Sequence, residues 1–375
     1  MTRLVALDLA ASDAFVAHVS DVWAAGAAVL PVDQRLSRAD KAALLELLGA
    51  HEVVDASGRT ELATGRALEP GDALVIATSG STGAPKGVVH THRSIAASSS
   101  ASLARLHGSA SDHWLACLPL AHIGGFSVVS RALASGATLT VRADSDPATV
   151  AAALRAGSNR TSLVPTLLGR VDVSAFETVL IGGARPPADR PANVIATYGL
   201  TETGSGVVYD GSALDGVELS IGNDDEVLVR GPMLMRGYRD GTTSIDSDGW
   251  LHTRDSGSID ADGTLSVTGR LDDLIKTGGE KVWPEQVERV LDTLYPDRTS
   301  CIVGVPDAEW GEAVVLVTDR GGLVLDDVRG RVKELLPARC APKHIVVADI
   351  PRTTSGKVRR NDVRTVAERA LSDAD

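Results

Sequence analysis

The sequence predicts an α/β protein with a large N-terminal domain of mostly parallel sheets flanked by helices, and a smaller α+β C-terminal domain. Short apolar runs alternate with helix-like stretches up to about residue 200, as in βα crossover units. Short alternating segments with Asp-Gly turns at 248–249 and 262–263 predict a small β subdomain at about 215–269. Mixed helical and strand-like segments then follow over a length typical of a separate domain.

The predicted N-terminal domain spans residues 1–271 and contains a mostly parallel, doubly wound sheet. Its last helix begins with Pro147 after Asp146, as a capped helix does. In such sheets, ligands bind beyond the carboxyl ends of the strands. Strands are expected at Ala27–Val32, Leu74–Thr78, Trp114–Leu118, Thr138–Val141, Leu163–Val164, Thr178–Ile181 and Val194–Thr197. Helices are expected at Ala39–Leu48, Ser94–Leu106, Gly125–Ala134 and Pro147–Arg155.

The predicted C-terminal domain spans residues 272–375, after a β subdomain whose strands are expected at Glu226–Arg230, Trp250–Thr253 and Leu265–Thr268. Its first helix opens at Pro284, because proline suits the first position of a helix. Strands are expected at Ser300–Val305, Ala313–Thr318 and His344–Ala348, and helices near Asp326–Leu336 and after Arg359.

The composition indicates a globular protein without a nucleic-acid surface. The 375 residues carry a formal net charge of −12, and Lys and Arg form no basic stripe. Cys117, Cys301 and Cys340 are widely spaced among small or apolar neighbours, which is typical of buried reduced thiols. The N-terminus lacks a signal-peptide core, and no apolar run approaches the ~18 residues of a membrane span. We therefore expect a cytoplasmic protein that binds neither membranes nor nucleic acids.

The segment 78–87 has the composition of a phosphate-binding loop, and it follows an apolar strand-like run. Its glycines allow backbone N–H groups to turn toward phosphate oxygens, its hydroxyls donate hydrogen bonds, and its lysine adds a positive charge. It is not a Walker A loop, because Pro85 precedes Lys86 and Gly87 follows it. A solvated Ser/Gly turn is the alternative. The candidate phosphate ligands are Thr78, Ser79, Gly80, Ser81, Thr82, Gly83 and Lys86.

Four segments in this order resemble one superfamily: TSGSTGAPKG (78–87), YGLTETG (198–204), GRLDDLIKTGGEKVWPEQVE (269–288) and PRTTSGKVRR (351–360). The chain is similar over nearly its whole length to the adenylate-forming acyl- and aryl-CoA synthetases, which include luciferases and peptide-synthetase adenylation domains. The resemblance implies a mobile C-terminal domain and a reaction in which ATP activates a carboxylate before CoA takes the acyl group. ATP, Mg²⁺ and CoA are the implied co-substrates, and no tightly bound organic cofactor is expected.

The resemblance also implies nucleotide and metal contacts. Tyr198 is expected to stack on adenine, with Gly183 and Ala184 along its edge, and Thr201 and Arg270 are further expected nucleotide contacts. Asp255 matches the family's ribose-binding aspartate, although the family usually has glycine where Arg254 stands. Glu202 matches the Mg²⁺ ligand, and a hard cation that bridges phosphates takes only one or two protein carboxylates. A solvated loop glutamate is the simpler alternative for Glu202, and a surface salt bridge is the simpler alternative for Arg270 and Asp272.

The resemblance assigns adenylation to Lys357, which lies on the small domain. An ammonium between a carboxylate and the α-phosphate stabilises the charge that develops in the transition state. Asp272 lies where the family has the hinge about which the small domain rotates between the half-reactions. After this rotation a second loop is expected to form the thioester site. That loop comprises Gly278, Gly279, Glu280 and Lys281.

His122 and Arg131 are the candidates for binding the acid, because the segment 118–126 leads from a predicted strand into the helix that carries Arg131. An arginine binds a second, non-reacting carboxylate, which fatty and simple aromatic acids lack. The short chain and the segment YGLTETGSGVVYDG (198–211) resemble the short 2-succinylbenzoate–CoA ligases of menaquinone biosynthesis in actinobacteria. Those enzymes carry an arginine where Arg131 falls. The resemblance therefore predicts activation of 2-succinylbenzoate and its transfer to CoA.

Other functions stay open at this point. Another aryl- or acyl-CoA ligase would use the same chemistry with Arg131 as an ordinary surface arginine. A peptide-synthetase adenylation domain is a further alternative within the superfamily. A catalytically silent nucleotide-binding regulator would need no reaction, although Glu202, Asp255 and Lys357 favour an enzyme. Most of the superfamily's N-terminal extension is missing, and the apolar patch that this would expose suggests a homodimer.

Overall fold

The structure is a computed structural model that describes residues 2–79, 85–187, 189–352 and 358–373, without the side chain of Ser79. Its contacts divide the chain into two compact units. Helices and strands are present in both units, which confirms the predicted α/β class. The predicted domain boundary between residues 271 and 272 stays a prediction. Unit 1 comprises Met1–Ser220, Leu228–Thr253 and Ala261–Leu265, and unit 2 comprises Ile221–Val227, Arg254–Asp260 and Ser266–Asp375.

The elements are numbered in chain order. The helices are α1 Asp13–Ala24, α2 Arg38–Leu48, α3 His92–Leu106, α4 Ile123–Ser135, α5 Pro147–Arg155, α6 Pro284–Leu294, α7 Leu325–Leu335 and α8 Arg360–Ser372. The strands up to residue 213 are β1 Leu4–Leu7, β2 Ala28–Pro31, β3 Glu52–Asp55, β4 Gly58–Glu61, β5 Asp72–Ser79, β6 Pro85–Thr91, β7 His113–Ala116, β8 Thr138–Val141, β9 Arg160–Leu163, β10 Thr178–Ile181, β11 Val194–Leu200, β12 Ser205–Tyr209 and β13 Ser212–Ala213. The later strands are β14 Glu218–Ile221, β15 Glu226–Arg230, β16 Gly237–Tyr238, β17 Leu251–Ile259, β18 Leu265–Arg270, β19 Ile275–Thr277, β20 Glu280–Val282, β21 Ser300–Asp307, β22 Gly311–Thr318 and β23 His344–Val347.

Unit 1 contains two seven-stranded sheets, where the sequence analysis expected a single doubly wound one. Their strand orders are β16–β6–β5–β2–β1–β3–β4 and β13–β12–β11–β10–β9–β7–β8. In both sheets the central strands are parallel, whereas the pairs β5–β6, β3–β4 and β11–β12 are antiparallel. The antiparallel pairing of β5 with β6 ends the parallel series of the first sheet, and β7 belongs to the second sheet.

The helices of unit 1 begin and end at sequence signals that fix their positions. Ser37 accepts a hydrogen bond from the backbone N–H of Asp40 at the start of α2, and Gly49 ends that helix with φ +66°. Leu44 and Leu48 then pack into the core of the first sheet. Helix α5 begins at Pro147 as predicted, but the side chain of Asp146 makes no capping hydrogen bond. The burial of Leu44 and of Leu48 each contributes about 1.5–3 kcal/mol to the stability of the fold.

The candidate site segments follow the carboxyl ends of strands in unit 1. The phosphate-loop segment follows β5, the segment with His122 follows β7, Gly183 follows β10, and Thr201 follows β11. Strands β10 and β11 are parallel neighbours, so the last two segments leave the sheet at the same edge.

The last 100 or so residues of unit 2 form a sheet with helices on both faces. The strand order is β20–β19–β22–β21, and β23 pairs in parallel with β22. Alternate residues of β21 point to opposite faces. Ile302 packs with α6 and α7, whereas Cys301 and Val303 pack with α8. A separate four-stranded sheet, β14–β15–β17–β18, corresponds to the predicted small β subdomain, and its strands contribute residues to both units.

The three cysteines are buried free thiols, as predicted. Burial raises the pKa of Cys117 to about 11 and that of Cys301 to about 12, and burial also raises the pKa of Cys340. In the described part of the chain, no helix combines the length and apolar character needed to cross a bilayer.

Candidate active site

The described residues of the phosphate-loop segment lie at the end of β5 and the start of β6. Thr78 on β5 pairs with Lys86 on β6, and the Thr78 hydroxyl donates to the Lys86 carbonyl oxygen at 3.4 Å. The predicted ligands Gly80, Ser81, Thr82 and Gly83, and the side chain of Ser79, lie outside the described residues. Phosphate binding by this segment therefore stays a prediction.

Glu202 lies in a single turn of 3-10 helix, Thr201–Thr203, directly after β11. The Thr203 hydroxyl accepts from the backbone N–H of Leu200 at 2.8 Å and donates to the carbonyl oxygen of Ser205 at 2.7 Å. These hydrogen bonds fix the turn, and Gly204 ends it with φ +71°. The turn holds the Glu202 backbone at the end of β11, where a ligand of an α/β sheet is expected.

Tyr238 on β16 connects the two residues predicted to bind phosphate and metal. Its hydroxyl donates to Oε1 of Glu202 at 2.9 Å, and the Lys86 ammonium lies 4.8 Å from the centre of its ring. Burial, together with the Glu202 carboxylate, raises the pKa of Tyr238 to about 12, so the hydroxyl keeps its proton and stays a donor. Tyr238 thus brings the end of the phosphate-loop segment and the turn after β11 to one place.

The side chain of His90 also contacts the Thr201–Thr203 turn. It is fully buried on β6, and its Nε2 lies 2.7 Å from the carbonyl oxygen of Thr201 while its Nδ1 lies 3.2 Å from the hydroxyl of Ser94. Because a carbonyl only accepts, Nε2–H donates and Nδ1 is the acceptor. Burial lowers the pKa of His90 to about 4, so the ring is neutral near neutral pH. His90 therefore acts as a fixed donor that holds Thr201.

The predicted adenine contacts lie at the ends of two neighbouring strands. Gly183 and Ala184 follow β10 and are exposed, and Gly183 has φ +78°. Tyr198 is half-buried on β11, next to β10 in the sheet. A Cβ on Gly199 would lie 2.1 Å from the carbonyl oxygen of Ser205, so only glycine fits there. The structure places these residues at one sheet edge, and their contact with adenine stays a prediction.

Arg131 is a buried cation on α4. Its residue exposure is 2%, which excludes the alternative of an ordinary surface arginine. Its Nη2 donates to the hydroxyl of Ser162 at 3.0 Å, and its guanidinium lies 5.0 Å from the centre of the Trp114 ring. Its Nε has no hydrogen-bond partner, and no carboxylate pairs with it among the residues that the structure describes. Burial lowers the pKa of Arg131. Binding of a carboxylate by Arg131 stays a prediction.

His122 is held by an ion pair at the end of β2. Nη2 of Arg35 lies 2.8 Å from His122 Nε2 and 2.7 Å from Oδ2 of Asp33. Burial by itself would raise the pKa of Asp33, but its contacts with His122 and Arg35 outweigh burial and hold that pKa well below its usual range. The His122 side chain is 39% exposed. Contact of His122 with an acid stays a prediction.

Within unit 2, the predicted ribose aspartate and the predicted hinge belong to one charge network. Asp255 is buried on β17 and accepts from Arg270 at 2.9 Å. Asp272 accepts from Arg254 at 2.9 Å and from Arg270 at 3.4 Å. Arg254 has φ +60°, the left-handed conformation that a glycine adopts freely. An arginine thus occupies the backbone conformation of the usual glycine and adds a partner for the hinge carboxylate.

The predicted thioester loop is the tight turn of the β19–β20 hairpin. Gly278 and Gly279 have φ +58° and φ +79°, which a type I′ turn requires and glycine permits. Glu280 pairs with Arg339 at 3.2 Å. Lys281 pairs with Asp224 at 3.1 Å. Lys357, the predicted adenylation lysine, lies outside the described residues.

The chemistry of Glu202 suits a hard divalent cation. Tyr238 occupies Oε1 of its carboxylate, and oxygen is the ligand that Mg²⁺ prefers. Within residues 2–79, 85–187, 189–352 and 358–373, no group of three or more His, Cys, Asp or Glu side chains forms a metal site. A single carboxylate is what a cation bound mainly by phosphate oxygens needs.

Sequence reasoning missed Asp33, Arg35, His90 and Tyr238. Asp33 and Arg35 directly follow β2, and the strand-end rule applied to the other motifs would have identified them. No local pattern marks His90 or Tyr238, because their partners Thr201 and Glu202 lie 111 and 36 residues away.

Comparison with known proteins identifies similar chains over almost the whole length. Residues 50–239 match the AMP-binding enzyme family, and residues 286–357 match the AMP-binding enzyme C-terminal domain. A probable 2-succinylbenzoate–CoA ligase of Mycobacterium tuberculosis is 34% identical over 368 residues, which cover 90% of this chain and 94% of that protein. A feruloyl-CoA synthase of Amycolatopsis is 32% identical over 341 residues, which cover 78% of this chain and 69% of that protein.

Among solved structures, the chain is similar to the o-succinylbenzoate CoA synthetase of Bacillus subtilis in complex with the acyl-adenylate intermediate OSB-AMP. The TM-score is 0.85 at 26% sequence identity, and the match covers 96% of this chain and 88% of that chain. The predicted large N-terminal and small C-terminal arrangement is that of this enzyme fold.

Proposed function

Because the chain belongs to the family of AMP-binding enzymes, we propose that it is an ATP-dependent ligase that joins 2-succinylbenzoate to CoA. The acid's carboxylate attacks the α-phosphorus of ATP and releases pyrophosphate, and the thiol of CoA then attacks the acyl carbonyl and releases AMP. The products are 2-succinylbenzoyl-CoA, AMP and pyrophosphate. The similarity to the Mycobacterium tuberculosis relative over 90% of the chain supports this reaction.

Arg131 is the observation that carries the choice of acid. A buried guanidinium without a carboxylate partner in the described structure is costly unless a ligand supplies the missing charge. 2-Succinylbenzoate has two carboxylates, one to react and one to pair with Arg131. An acid with a single carboxylate would leave Arg131 unpaired in the complex. The arrangement therefore favours a dicarboxylic acid.

Other described residues have separate roles in binding ATP and Mg²⁺ in the proposed mechanism. Lys86 supplies positive charge for the phosphates, and Tyr238 and His90 fix the turn that carries Glu202. Glu202 would hold Mg²⁺, which would neutralise phosphate charge. Asp255, which accepts from Arg270 at 2.9 Å, would be the acceptor for the ribose hydroxyls. Catalysis is then mostly positioning and charge stabilisation.

The direct test mixes the protein with ATP, Mg²⁺, CoA and 2-succinylbenzoate and follows the thioester by mass spectrometry. We expect acid-dependent formation of 2-succinylbenzoyl-CoA and stoichiometric pyrophosphate. The absence of both products with every acid tested would contradict the proposed function.

Another CoA ligase of the same family is the second candidate, and the feruloyl-CoA synthase at 32% identity favours it. A panel of 2-succinylbenzoate, benzoate, ferulate and octanoate separates the two candidates by pyrophosphate release. We expect the dicarboxylic acid to react at least about 100-fold faster at low concentration, from the loss of one buried charged contact. Preference for ferulate would establish the second candidate instead.

Lys357 carries the adenylation step in the proposed mechanism. Lys357→Ala should nearly abolish formation of the acyl-adenylate and leave thioester formation from a supplied adenylate largely intact. Lys333→Ala, at an exposed lysine of α7, is the matched control and should leave both steps unchanged. An equal loss in both half-reactions would contradict the assignment of Lys357 to the first step alone.

A further inference from the structure

The His122 ring occupies a position where a different residue type is expected. His122 is the residue immediately before α4, where Ser, Thr, Asp or Asn usually caps the helix, and its side chain makes no capping hydrogen bond. Its Nε2 contacts the guanidinium of Arg35 instead. Among the described residues, no hydrogen bond to its Nδ1 is present. The ring is therefore held from one side only.

The ion pair that holds the ring is itself rigid. Asp33 Oδ1 accepts from both the backbone N–H and Nε of Arg35, at 3.0 and 2.9 Å, while Oδ2 accepts from Nη2 at 2.7 Å. The two-point contact fixes the plane of the guanidinium. The Asp33 side chain is 12% exposed, so water competes little for it. The same Nη2 lies 2.8 Å from His122 Nε2.

This geometry determines which nitrogen of His122 carries the proton. An arginine donates and never accepts, so the 2.8 Å contact requires a lone pair on Nε2. A proton on Nε2 would place two donors against each other at that distance. The 3.5 Å separation between Nε2 and Asp33 Oδ2 is longer and is the weaker contact. The proton of the neutral ring then resides on Nδ1.

We propose that Asp33 and Arg35 are positioning residues that fix His122 as the Nδ1–H tautomer, so that Nδ1–H donates a hydrogen bond to an oxygen of the acid substrate. The identity of the acid rests on the proposed function, whereas the tautomer does not. His122 would contact the substrate directly, and the ion pair would act through it. A donor with a fixed ring orientation suits a carboxylate or keto oxygen and would hold the acid for adenylation.

Nitrogen NMR of ¹⁵N-histidine-labelled protein tests the tautomer directly. The chain has nine histidines, and His122→Asn assigns the ring of interest. We expect protonated Nδ1 and unprotonated Nε2 in the wild-type protein and in Arg35→Lys, whose ammonium still donates. In Arg35→Met the preference for Nδ1–H should be lost, with the other eight ring signals unchanged. A proton on Nε2 in the wild type, or an unaltered tautomer in Arg35→Met, would overturn the proposal.

Kinetics test whether the ring acts on the acid. Arg35→Met should raise the KM for 2-succinylbenzoate about tenfold, the worth of one hydrogen bond, and leave the KM for ATP unchanged. Arg35→Lys should recover most of the loss. Arg3→Met, which removes an exposed ion pair with Glu61, is the control and should change neither KM. Equal increases in both KM values would show a general structural role and would contradict the donor role of His122.

The two proposals fail in different ways. If the wild-type protein forms no thioester from 2-succinylbenzoate, the proposed function is wrong, and the NMR result still decides the tautomer. The acid in the kinetic experiment is then replaced by whichever acid of the panel releases pyrophosphate fastest.

Discussion

Arg131 in unit 1 is buried and Arg360 in unit 2 is half-buried, and the protein supplies them with opposite surroundings. Arg131 contacts the neutral groups Ser162 and Trp114. Arg360 lies 3.3 Å from Asp273, 3.6 Å from Glu285 and 2.5 Å from Glu288. Burial lowers the pKa of Arg131, whereas for Arg360 the effect of burial is outweighed by Glu288, which raises the pKa. The comparison separates a charge that neighbouring carboxylates neutralise from a charge that has no carboxylate partner among the described residues.

The carboxylates around Arg360 outnumber its single positive charge, and two of them have raised pKa values. Burial raises the pKa of Glu285 to about 7, although Arg360 opposes this shift, and burial also raises the pKa of Asp273. One guanidinium is shared among three carboxylates, and Oε2 of Glu285 is buried without a hydrogen-bond partner in the described structure. Arg360 therefore has a structural role, and its loss should lower the free energy of unfolding more than it lowers activity.

Arg360→Met gives the largest expected effect. Three carboxylates would remain close together without a cation, which should lower the free energy of unfolding by about 3–5 kcal/mol. Urea denaturation measures the loss. Arg331→Met removes only an exposed pair on α7 and should cost less than about 1 kcal/mol. Equal stability of the two variants would contradict the structural role of Arg360.

In contrast to Arg360→Met, Arg131→Met should lower activity without lowering stability. We expect kcat/KM for 2-succinylbenzoate to fall by a factor equivalent to about 2 kcal/mol or more, with unfolding stability unchanged or higher, since a buried charge without a carboxylate is removed. Arg160→Met is the matched control, because Arg160 is buried in the same unit but pairs with Asp112 at 2.9 Å. That variant should lose stability and keep its KM for the acid. Unaltered kcat/KM in Arg131→Met would remove the argument for a dicarboxylic acid.

Glu285, which lies near Arg360, should make the stability of the protein depend on pH. Its folded-state pKa of about 7 lies above the ordinary 4.5, so the folded state binds its proton more tightly. The resulting stabilisation is fully present below pH about 4.5 and is lost as the pH rises through about 7. Relative to Glu285→Gln, the wild type should lose on the order of 2 kcal/mol over that interval.

Urea titrations at several pH values measure the Glu285 effect. Glu334→Gln, at an exposed glutamate of α7, is the control and should follow the wild-type curve. A Glu285→Gln curve parallel to that of the wild type would show that the pKa of Glu285 does not differ between the folded and unfolded states.

Tyr238→Phe gives the smallest expected effect. It removes the donor to Glu202 and keeps the ring beneath Lys86, so the Mg²⁺ concentration for half-maximal pyrophosphate release should rise about tenfold. The KM for the acid should stay the same. Tyr209→Phe, which loses a buried contact with Ser102 at 2.7 Å, is the control. An equal change in both variants would point to packing rather than to Glu202.

Local sequence signals were sufficient for many elements. Helix Pro147–Arg155 and strands Thr178–Ile181 and Glu226–Arg230 have the predicted bounds, because proline, glycine or Asp-Gly turns mark their ends. Strand Leu4–Leu7 and helix Asp13–Ala24 were missed. The strand has only four residues, and its pairing with β2 and β3 is what stabilises it.

The candidate site was predicted less completely than the fold, for a related reason. A motif supplies residue types, but burial and partners come from the tertiary structure. The sequence placed Arg131 on a helix, and only the structure shows that it is buried against Trp114 and Ser162. Likewise, Asp33 and Arg35 acquire a role only because β2 ends near the start of α4.

The buried cysteines make the chain a convenient background for fluorescent labelling. Thiolates react with maleimides, and burial keeps Cys117 and Cys301 protonated with pKa values of about 11 and 12. New cysteines at exposed positions, such as Glu46→Cys in unit 1 and Glu334→Cys in unit 2, would then be the preferred attachment points for a dye pair. Energy transfer between the dyes would follow any change in the distance between the two units as ATP, acid and CoA are added in turn, without first replacing a native residue.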